Sequence, residues 1–287
     1  MEWKYWVPPI AVACVAALLC RELYAEIERQ KKMRQTERQG RIKAETSVHR
    51  EEGSCDSLTV FPIGYVKSVF TKRNGTPRQP GLVVSAESSI ELVPALHTAI
   101  VGMDAFSHIW IMFEFSGNTN KGKRVKSAAR GKPFDGLKLL VEPPKARGRK
   151  VGVLSCRTPH RPNPIGLSLC RLVRVEPDRV IVSGLDCLDG TPIIDIKPYL
   201  PQIESLSNAI VPEWIYQGID KDKALVVTWA DSVVLKDEQM RSVITQTLSS
   251  DIRSKNQSNT SEWHLCIGEF EIEYSIDDNI VTILKIS

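Results

Sequence analysis

The stretch between residues 58 and 196 consists of short apolar segments separated by turns, and this pattern limits the possible folds more than any other feature. Turn sequences such as Asn74-Gly75 and Asp189-Gly190 mark several breaks. No amphipathic helical pattern intervenes, which favours an all-β barrel or sandwich over a doubly wound sheet. The predicted strands, rich in Val, Ile, Leu and aromatic residues, are Leu58–Phe70, Leu82–Ser85, Ile90–Leu96, His108–Phe115, Leu137–Val141, Val151–Cys156, Leu167–Val175, Arg179–Gly184 and Thr191–Ile196.

The C-terminal part of the chain, from about Glu204, has a different pattern and predicts a smaller α+β region. Ala224–Trp229 is strand-like, and Asp231–Leu248 carries apolar residues at a spacing typical of a helix. His264–Ile276 followed by Asn279–Ile286 indicates a hairpin. The fold class expected for the whole chain is therefore mainly β.

The N-terminal residues stand apart because they are apolar. Tyr5–Cys20 is an uncharged apolar run, slightly shorter than the ~20 residues that span a bilayer. Arg21, Lys31 and Arg34 follow it, and such basic residues hold the side that they occupy in the cytosol. We predict that residues 1–20 form a hydrophobic helix that anchors a cytosolic body to a membrane. A cleavable signal, an organelle-targeting segment and a fully soluble chain are the alternatives.

The boundaries of the remaining regions follow from charge and composition. Residues 21–53 carry dense charges of both signs, which predicts a solvated helical tether. We expect a β domain over residues 54–203 and the small α+β region over residues 204–287.

The composition excludes several classes of protein. A net charge of +4, from 38 basic and 34 acidic residues, is too mild to indicate a nucleic-acid partner by itself. Seven cysteines without a C-x-x-C pair argue against a disulfide framework and against a paired-thiolate zinc site, and we expect no metal. The chain has no G-x-G-x-x-G sequence, so a nucleotide-type ligand would not be held as in a Rossmann fold.

The segment from Arg157 to Gly166 combines stiffness with cationic side chains. Its prolines fix the backbone of a loop, while Arg157 and Arg161 offer forked donors that suit carboxylates or phosphates. Gly166 would let a ligand approach the backbone. A purely structural proline-rich corner is the alternative interpretation of this loop.

Two further segments have related chemistry. Thr71–Pro80 is a second loop with cationic side chains, an Asn-Gly turn and two prolines, so both loops could face one ligand. Leu185–Pro192 contains an Asp-Gly turn, which predicts a carboxylate and free amides at the end of a strand.

The segment Thr191–Tyr199 predicts a strand with an aligned set of polar side chains. Strict alternation places Asp195, Lys197 and Tyr199 on one face, together with Thr191 and Ile193. Asp195 and Lys197 could act chemically or could simply form an ion pair with each other.

Taken in order, five motifs resemble the TrmO, or TsaA-like, family of tRNA methyltransferases. Together they cover about half of the chain. The motifs are FPIGYVKSVF and NGTPRQP between residues 61 and 80, DAFSHIWIMFEF at 104–115, VGVLSCRTPHRPNPIGLSL at 151–169 and GLDCLDGTPIIDIKPYLP at 184–201.

The resemblance implies a β-barrel enzyme that uses S-adenosylmethionine and acts as a homodimer on tRNA. The methyl acceptor would be the exocyclic amine of threonylcarbamoyl-adenosine next to the anticodon. Ser116-Gly117 stands where the family commonly has His followed by a polar residue, a departure at a cofactor position. The residues that stand at the family's cofactor positions are Pro77, Arg78, Gln79, Ser116, Gly117, Arg157, Leu167, Asp189, Gly190, Thr191 and Pro192.

The reaction implied by the resemblance needs a base and an RNA-binding surface. We expect Asp195 to assist removal of the amine proton, with Tyr199 or Lys197 orienting the purine. Arg161 and the insertion 121–132 would contact tRNA phosphates, although the insertion could equally be a disordered loop. The basic residues expected to act there are Lys121, Lys123 and Arg124.

Cysteine chemistry is a less favoured alternative, because Cys156, Cys170 and Cys187 lie in apolar strand-like settings that predict core positions. A different class of function also stays open, since a fold does not fix an activity. In that alternative the chain is a non-catalytic, membrane-tethered module that binds a metabolite or RNA.

Overall fold

The structure is a computed structural model that describes residues 21–23, 25–39, 58–115, 136–143, 146, 148–216, 224–250 and 262–287. The predicted anchor Tyr5–Cys20 lies outside the described residues. Within the ranges given above, we find no helix of the length and apolarity needed to cross a bilayer. The chain divides into two units, residues 1–58 and residues 59–287.

The first unit contains a charged helix whose described residues, 21–23 and 25–39, are exposed. Arg29 pairs with Glu26 at 2.8 Å, and Lys31 pairs with Glu28 at 3.0 Å. Exposed pairs of this kind contribute only about 0.2–1 kcal/mol each. The helix agrees with the solvated helix expected from the charge pattern, and its role as a tether stays a prediction.

The second unit is built mainly of β-strands, as predicted. In chain order the strands are β1 (Gly64–Lys67), β2 (Glu87–Leu92), β3 (His108–Glu114), β4 (Leu140–Val141), β5 (Val151–Gly152), β6 (Ile165–Val175), β7 (Arg179–Ser183), β8 (Pro192–Pro198), β9 (Val226–Trp229), β10 (Glu262–Ile267), β11 (Phe270–Asp277) and β12 (Ile280–Ile286). The helices are α1 (Pro201–Glu204), α2 (Glu213–Tyr216) and α3 (Glu238–Ser249), with 3-10 turns at Pro94–Ile100, Met103–Ala105 and Val153–Ser155.

Six strands pair in the antiparallel order β1-β2-β7-β6-β3-β8, and pairing of β8 with β1 closes the sheet into a barrel. Alternate side chains point inward because successive residues of a strand face opposite sides. In β3 the inward side chains are Ile109, Ile111 and Phe113, all buried in the barrel core. β4 and β5 form a separate two-stranded ladder.

The connections at one end of the barrel carry the three loop segments identified in the sequence. β1 ends and β2 begins here, as shown by the pairing of Lys67 with Ser89. β3 ends here beside the first residue of β6, where Glu114 pairs with Ile165. β7 ends and β8 begins at the same place. We call this the loop end; it includes the connections 68–86, 153–164 and 184–191.

β8 departs from the strict alternation predicted for Thr191–Tyr199. Met112 of β3 pairs with Asp195, whereas Phe113 pairs with Ile193, so Ile194 is an extra residue in β8. Such a bulge sets two residues against one and changes the direction of the following side chains. Ile193 lies in the barrel core and Ile196 packs against it, so the predicted alternation fails across Ile194, and Asp195 and Lys197 do not share the face of Ile193.

Residues 224–287 form the smaller α+β region, in which β10, β11 and β12 are antiparallel and β9 runs parallel to β12. The predicted strand His264–Ile276 is in fact two strands, because Gly268 takes a left-handed conformation (φ 60°) and turns the chain. The predicted helix begins at Glu238 rather than near Asp231. Asp237 caps it by accepting from the amide of Met240.

One predicted strand does not form. Leu82–Ser85 lies in the connection between β1 and β2, and its apolar character serves packing instead. Phe70, Val83 and Ala86 of this connection are buried in the same core as β10–β12 and α3. The connection at the loop end therefore belongs to the C-terminal core as well as to the barrel.

Candidate active site

Two loops that are distant in sequence meet at the loop end. Arg157 donates from Nη1 to Oε1 of Gln79 at 3.2 Å, across 78 positions of sequence. Pro77 of the same loop is buried, whereas Arg78 and Arg157 are exposed. The two segments that were expected to face one ligand therefore converge within a single chain.

The Asp189-Gly190 turn also lies at the loop end. Its amides are hydrogen-bonded, although the sequence predicted that they would be free. The amide of Asp189 donates to the carbonyl of Phe70, and the amide of Gly190 donates to the carbonyl of Val66, both at 2.8 Å. The amide of Thr191 bonds back to Leu188. The prediction of free amides is wrong because β1, the connection after it and the turn itself accept from these amides. Among the predicted cofactor residues of this turn, Asp189 and Gly190 are exposed, whereas Thr191 and Pro192 are buried.

One oxygen of the Asp189 carboxylate also has a hydrogen-bond partner within the chain. Its Oδ1 accepts from the amide of Ser68 at 3.0 Å, which ties the turn to the residue that follows β1. Its second oxygen belongs to an exposed side chain, where it is available to a ligand donor. The turn therefore offers one carboxylate oxygen at the loop end.

Arg161 has a structural partner within its own loop. Its Nη1 donates to the carbonyl of Cys156 at 3.0 Å, and its side chain is partly buried. The amide of Arg161 donates to the carbonyl of Pro159. These bonds hold the proline-rich loop in shape, so the structural interpretation of this segment accounts for part of the Arg161 guanidinium.

Gly166 serves packing rather than ligand approach. A Cβ placed on this residue would lie 2.2 Å from Cζ of Phe113, so the Phe113 ring fills the space beside the backbone. Phe113 in turn packs edge-on against Phe115, with ring centroids 5.1 Å apart. The expected role of Gly166 in admitting a ligand is therefore wrong.

Asp195 and the predicted cofactor residue Leu167 lie in one row across three neighbouring strands. Leu167 pairs with Met112, and Met112 pairs with Asp195. At the ordinary strand spacing, their Cα atoms are about 10 Å apart. The Leu167 side chain is 49% exposed. The row therefore places an apolar side chain and a carboxylate on the outer face of the barrel, near the loop end.

Asp195 and Lys197 form the ion pair that the sequence left as one interpretation. Lys197 Nζ lies 2.6 Å from Asp195 Oδ2, and the amide of Ile196 donates to Asp195 Oδ1 at 2.9 Å. Both side chains are substantially exposed, so the pair contributes little to stability. The pair keeps the carboxylate and the ammonium together on the outer face.

Tyr199 lies at the other end of β8. Its amide donates to the carbonyl of His108 at 3.0 Å, and its ring packs edge-on against Trp110 with centroids 5.9 Å apart. Trp110 is fixed by a hydrogen bond to Glu204. Tyr199 comes seven positions after Pro192, roughly 23 Å along a strand. Within one chain the structure does not bring Tyr199 to the loop end.

Sequence reasoning missed Asp186, a partly buried carboxyl beside the loop end. Ser168 Oγ donates to its Oδ1 at 2.5 Å. Burial raises the pKa of Asp186, opposed by the hydrogen bonds of Ser168 and of its own backbone and by the charge of Arg157. Its position between the apolar residues Leu185 and Cys187 is the signal that could have identified it.

The cysteines of the barrel are core residues. Cys170 and Cys187 are buried, and burial together with the nearby Asp186 carboxyl raises the pKa of both thiols. The predicted core positions are confirmed for these two residues, whereas Cys156 is only partly buried. Thiols of raised pKa stay protonated and are poor nucleophiles.

Five predicted site residues lie outside the described residues. They are the cofactor candidates Ser116 and Gly117 and the RNA candidates Lys121, Lys123 and Arg124.

Comparison with known proteins gives a consistent family. The model of the tRNA-methyltransferase O N-terminal domain matches residues 65–205. A human "tRNA (adenine(37)-N6)-methyltransferase" is 36% identical over 54% of this chain and 33% of its own length. A "Putative S-adenosylmethionine-dependent methyltransferase RcsF" of Pseudomonas aeruginosa is 40% identical over 62% of this chain and 68% of its own length.

The fold gives the same result. The crystal structure of TrmO from Pseudomonas aeruginosa superimposes with a TM-score of 0.61 at 27% identity, covering 80% of this chain and 99% of that chain. The match spans only about a third of the human relative but more than two thirds of the bacterial one. From the family model, the bacterial relative and the solved structure together, the chain belongs to the tRNA-methyltransferase O family.

Proposed function

We propose that this chain is an S-adenosylmethionine-dependent tRNA methyltransferase with its cofactor site at the loop end. The observation that carries the proposal is the hydrogen bond between Arg157 and Gln79, which unites the two cationic loops. The names of the human and Pseudomonas relatives support the same activity and cofactor. The Asp189-Gly190 turn completes the three segments that match the family's cofactor positions.

The residues at the loop end fit the chemistry of this cofactor. Arg157 is exposed and uses one of its nitrogens for Gln79, so further guanidinium donors suit the cofactor's carboxylate. The exposed oxygen of Asp189 suits an ammonium or a ribose hydroxyl. A Cβ on Gly190 would meet nothing within 4 Å, so the space beside it is open. Leu167 offers an apolar surface to a purine ring.

The methyl acceptor in this proposal is the exocyclic amine of threonylcarbamoyl-adenosine next to the anticodon. When bound, S-adenosylmethionine would supply an electrophilic methyl group, whose bond to the positively charged sulfur would break and leave a neutral thioether. The acylated amine is a weak nucleophile because its lone pair is delocalised, but acylation also makes its proton easier to remove. Asp195 takes that proton at a carboxylate oxygen as the new carbon–nitrogen bond forms.

Lys197 and Asp195 act together on the substrate in this proposal. Lys197 lies against Asp195 Oδ2 and orients the purine by donating from the same outer face. Tyr199 packs with Trp110 and His108 at the other end of β8, so in this proposal Lys197 rather than Tyr199 orients the purine within one chain. Positioning of the two reactants supplies most of the catalytic effect, since the chain provides no covalent nucleophile in this mechanism.

The tRNA phosphates are assigned to the basic insertion 121–132 and to the remaining donors of Arg161. The insertion carries Lys121, Lys123 and Arg124, whose charge suits the RNA backbone. Binding through phosphates depends on counterion release, so it weakens steeply as salt rises.

A homodimer is part of the proposal. On the outer face of β6, Ile165 is 43% exposed and Leu167 is 49% exposed, which leaves apolar surface beside the site. Sedimentation of the purified chain tests the dimer. Anchoring through residues 5–20 rests on the sequence alone, and fractionation of a C-terminally tagged chain tests it.

The decisive experiment measures methyl transfer by the purified chain. The substrates are tRNA that carries threonylcarbamoyl-adenosine and the same tRNA without the threonylcarbamoyl group, with nucleosides identified by mass spectrometry. We expect one added methyl on the threonylcarbamoylated nucleoside only. Methylation of both tRNAs would overturn the substrate assignment, and cofactor binding without transfer would favour the non-catalytic module.

A further inference from the structure

The loop that carries Pro77, Arg78 and Gln79 is attached to the C-terminal region as well as to the barrel. It lies within the connection 68–86 between β1 and β2. Phe70 of this connection is fully buried in the core formed by β10–β12 and α3. Ser85 near the other end is bound to α3, where its amide donates to Gln246 Oε1 at 3.0 Å. Both ends of the connection therefore contact the C-terminal region, and both also bond to the barrel side, where the carbonyls of Phe70 and Ala86 accept from the amides of Asp189 and Gly184.

The middle of the connection covers the free edge of β10. β10 is the first strand of the order β10-β11-β12-β9, so one of its edges has no strand partner among the described residues. Asn74 Nδ2 donates to the carbonyl of His264 on that edge at 2.7 Å. Two residues further along β10, Lys72 Nζ lies 3.1 Å from Cys266 Sγ. Alternate residues of the edge strand thus hold the loop, and the loop covers an edge that proteins otherwise protect.

Gly75 is the point of closest approach. Its φ is +106°, and a Cβ on this residue would lie 2.8 Å from the carbonyl oxygen of Cys266. Any side chain in place of Gly75 would therefore push the loop away from β10. Gly75 precedes Pro77 and Gln79 by only two and four residues, so a shift here passes directly to the bond between Gln79 and Arg157.

We propose that the C-terminal region is a positioning element for the cofactor loop, with Asn74 and Gly75 as its positioning residues. Contact with the edge of β10 fixes the position of Gln79 at the loop end, and Gln79 in turn orients Arg157. The nature of the ligand rests on the proposed function, whereas the ordering of the loop does not. The C-terminal region thus contributes to cofactor affinity without touching the cofactor.

The chain contains a matched control for Gly75. Gly81 lies in the same connection and also has a positive φ, of +75°, but a Cβ there would meet nothing within 4 Å. Gly75→Ala and Gly81→Ala both place a Cβ on a residue with positive φ, and only Gly75→Ala meets β10. Asn74→Ala removes the bond to His264 and leaves both glycines intact.

The first measurement is hydrogen exchange of the amides of Thr76, Arg78 and Gln79 in the full chain without ligand. We expect Gly75→Ala and Asn74→Ala to accelerate exchange at least tenfold, and Gly81→Ala to change it less than twofold. Unchanged exchange in the first two variants, or equal acceleration in all three, overturns the proposal.

The second measurement is the dissociation constant for S-adenosylmethionine, with kcat at saturating cofactor. We expect the dissociation constant of Gly75→Ala and Asn74→Ala to rise about tenfold, while kcat stays within twofold of the unmodified chain. A fall in kcat with unchanged affinity would contradict a positioning role. Absence of cofactor binding by the unmodified chain would overturn the proposed function, and the exchange measurement would still decide whether β10 orders the loop.

Discussion

Arg157 and Gln79 share a hydrogen bond although one belongs to the loop before β6 and the other to the connection after β1. The contact joins two segments whose prolines and cations predicted a shared ligand. It also makes Gln79 the residue through which the C-terminal region reaches the exposed guanidinium. The loop end is therefore a joint product of the barrel and the small α+β region.

Replacing Arg157 by Ala should weaken binding of S-adenosylmethionine. Hydrogen bonds to charged groups contribute about 1.5–3 kcal/mol, which corresponds to a loss of about tenfold to a hundredfold in affinity. Isothermal titration calorimetry measures the change. Arg149→Ala is the matched control, because it removes another exposed guanidinium, from the connection between β4 and β5. Equal affinities of the Arg157 variant and the unmodified chain would remove Arg157 from the site.

Asp195→Asn should lower kcat for methyl transfer by about 10²–10⁴, the range typical of a lost general base. The dissociation constant for S-adenosylmethionine should stay within about twofold, because Asp195 is assigned to the substrate proton. Single-turnover transfer to threonylcarbamoylated tRNA gives the rate. Glu91→Gln, which removes a carboxylate from the outside of β2, should keep the full rate. A normal rate in the Asp195 variant would mean that another group, or water, removes the proton.

Asp186→Asn should change the pH dependence of stability. Burial raises the pKa of Asp186 above its ordinary value of 3.8, so the stabilising protonated form is fully present below pH 3.8 and is lost as pH rises through the higher folded value. Asn does not ionise. The melting temperature of the unmodified chain should therefore fall relative to that of the variant as pH rises from acid to neutral. Asp104→Asn, on an exposed side chain, serves as the control, and parallel curves would contradict the prediction.

Gly166→Ala should destabilise the barrel because the new methyl group meets the ring of Phe113. Overpacking of this kind costs about 1–3 kcal/mol. The free energy of unfolding in urea measures the loss. Gly152→Ala is the matched control, since its Cβ would be 3.6 Å from the nearest atom, Ser155 Oγ. Equal stability of the two variants would show that the ring moves aside without cost.

Neutralising Lys121, Lys123 and Arg124 with Gln should reduce the salt dependence of tRNA binding. Each lost phosphate contact lowers the slope of log affinity against log salt by about 0.7–0.9. Filter binding at salt concentrations from about 50 to about 300 mM gives this slope.

The same number of substitutions at Lys31, Lys32 and Arg34, in the helix of the first unit, controls for total charge. An identical slope for both triple variants would withdraw the insertion from the RNA surface.

The sequence was sufficient for features that depend on local pattern. Alternating apolar residues such as Ile109, Ile111 and Phe113 predicted β3, and their burial follows from the same alternation. The paired cationic loops were also visible, since prolines and arginines mark Thr71–Pro80 and Arg157–Gly166 directly. The prediction that the two loops converge came from the similar chemistry of both loops, which could face one ligand.

Features that depend on distant partners were not predictable. The bond from the Ser68 amide to Asp189 spans 121 positions, so no local pattern shows that this carboxylate is already used. Ile194 is extra only in relation to the register of β3. Gly166 looked like a place for a ligand because the sequence does not show which ring lies beside it. Each error concerns a partner rather than the residue itself.

The closure of the barrel is narrow, since β1 and β8 are joined through the pairs Gly64–Ile193 and Tyr65–Pro192. The amide of Gly190 donates to the carbonyl of Val66 beside these pairs, so the Asp189-Gly190 turn adds a hydrogen bond to the short junction between β1 and β8. Substitutions in the Asp189-Gly190 turn will therefore destabilise the closure of the barrel and the proposed cofactor surface together. A loss of cofactor affinity there becomes informative once it is compared with a melting curve of the same variant.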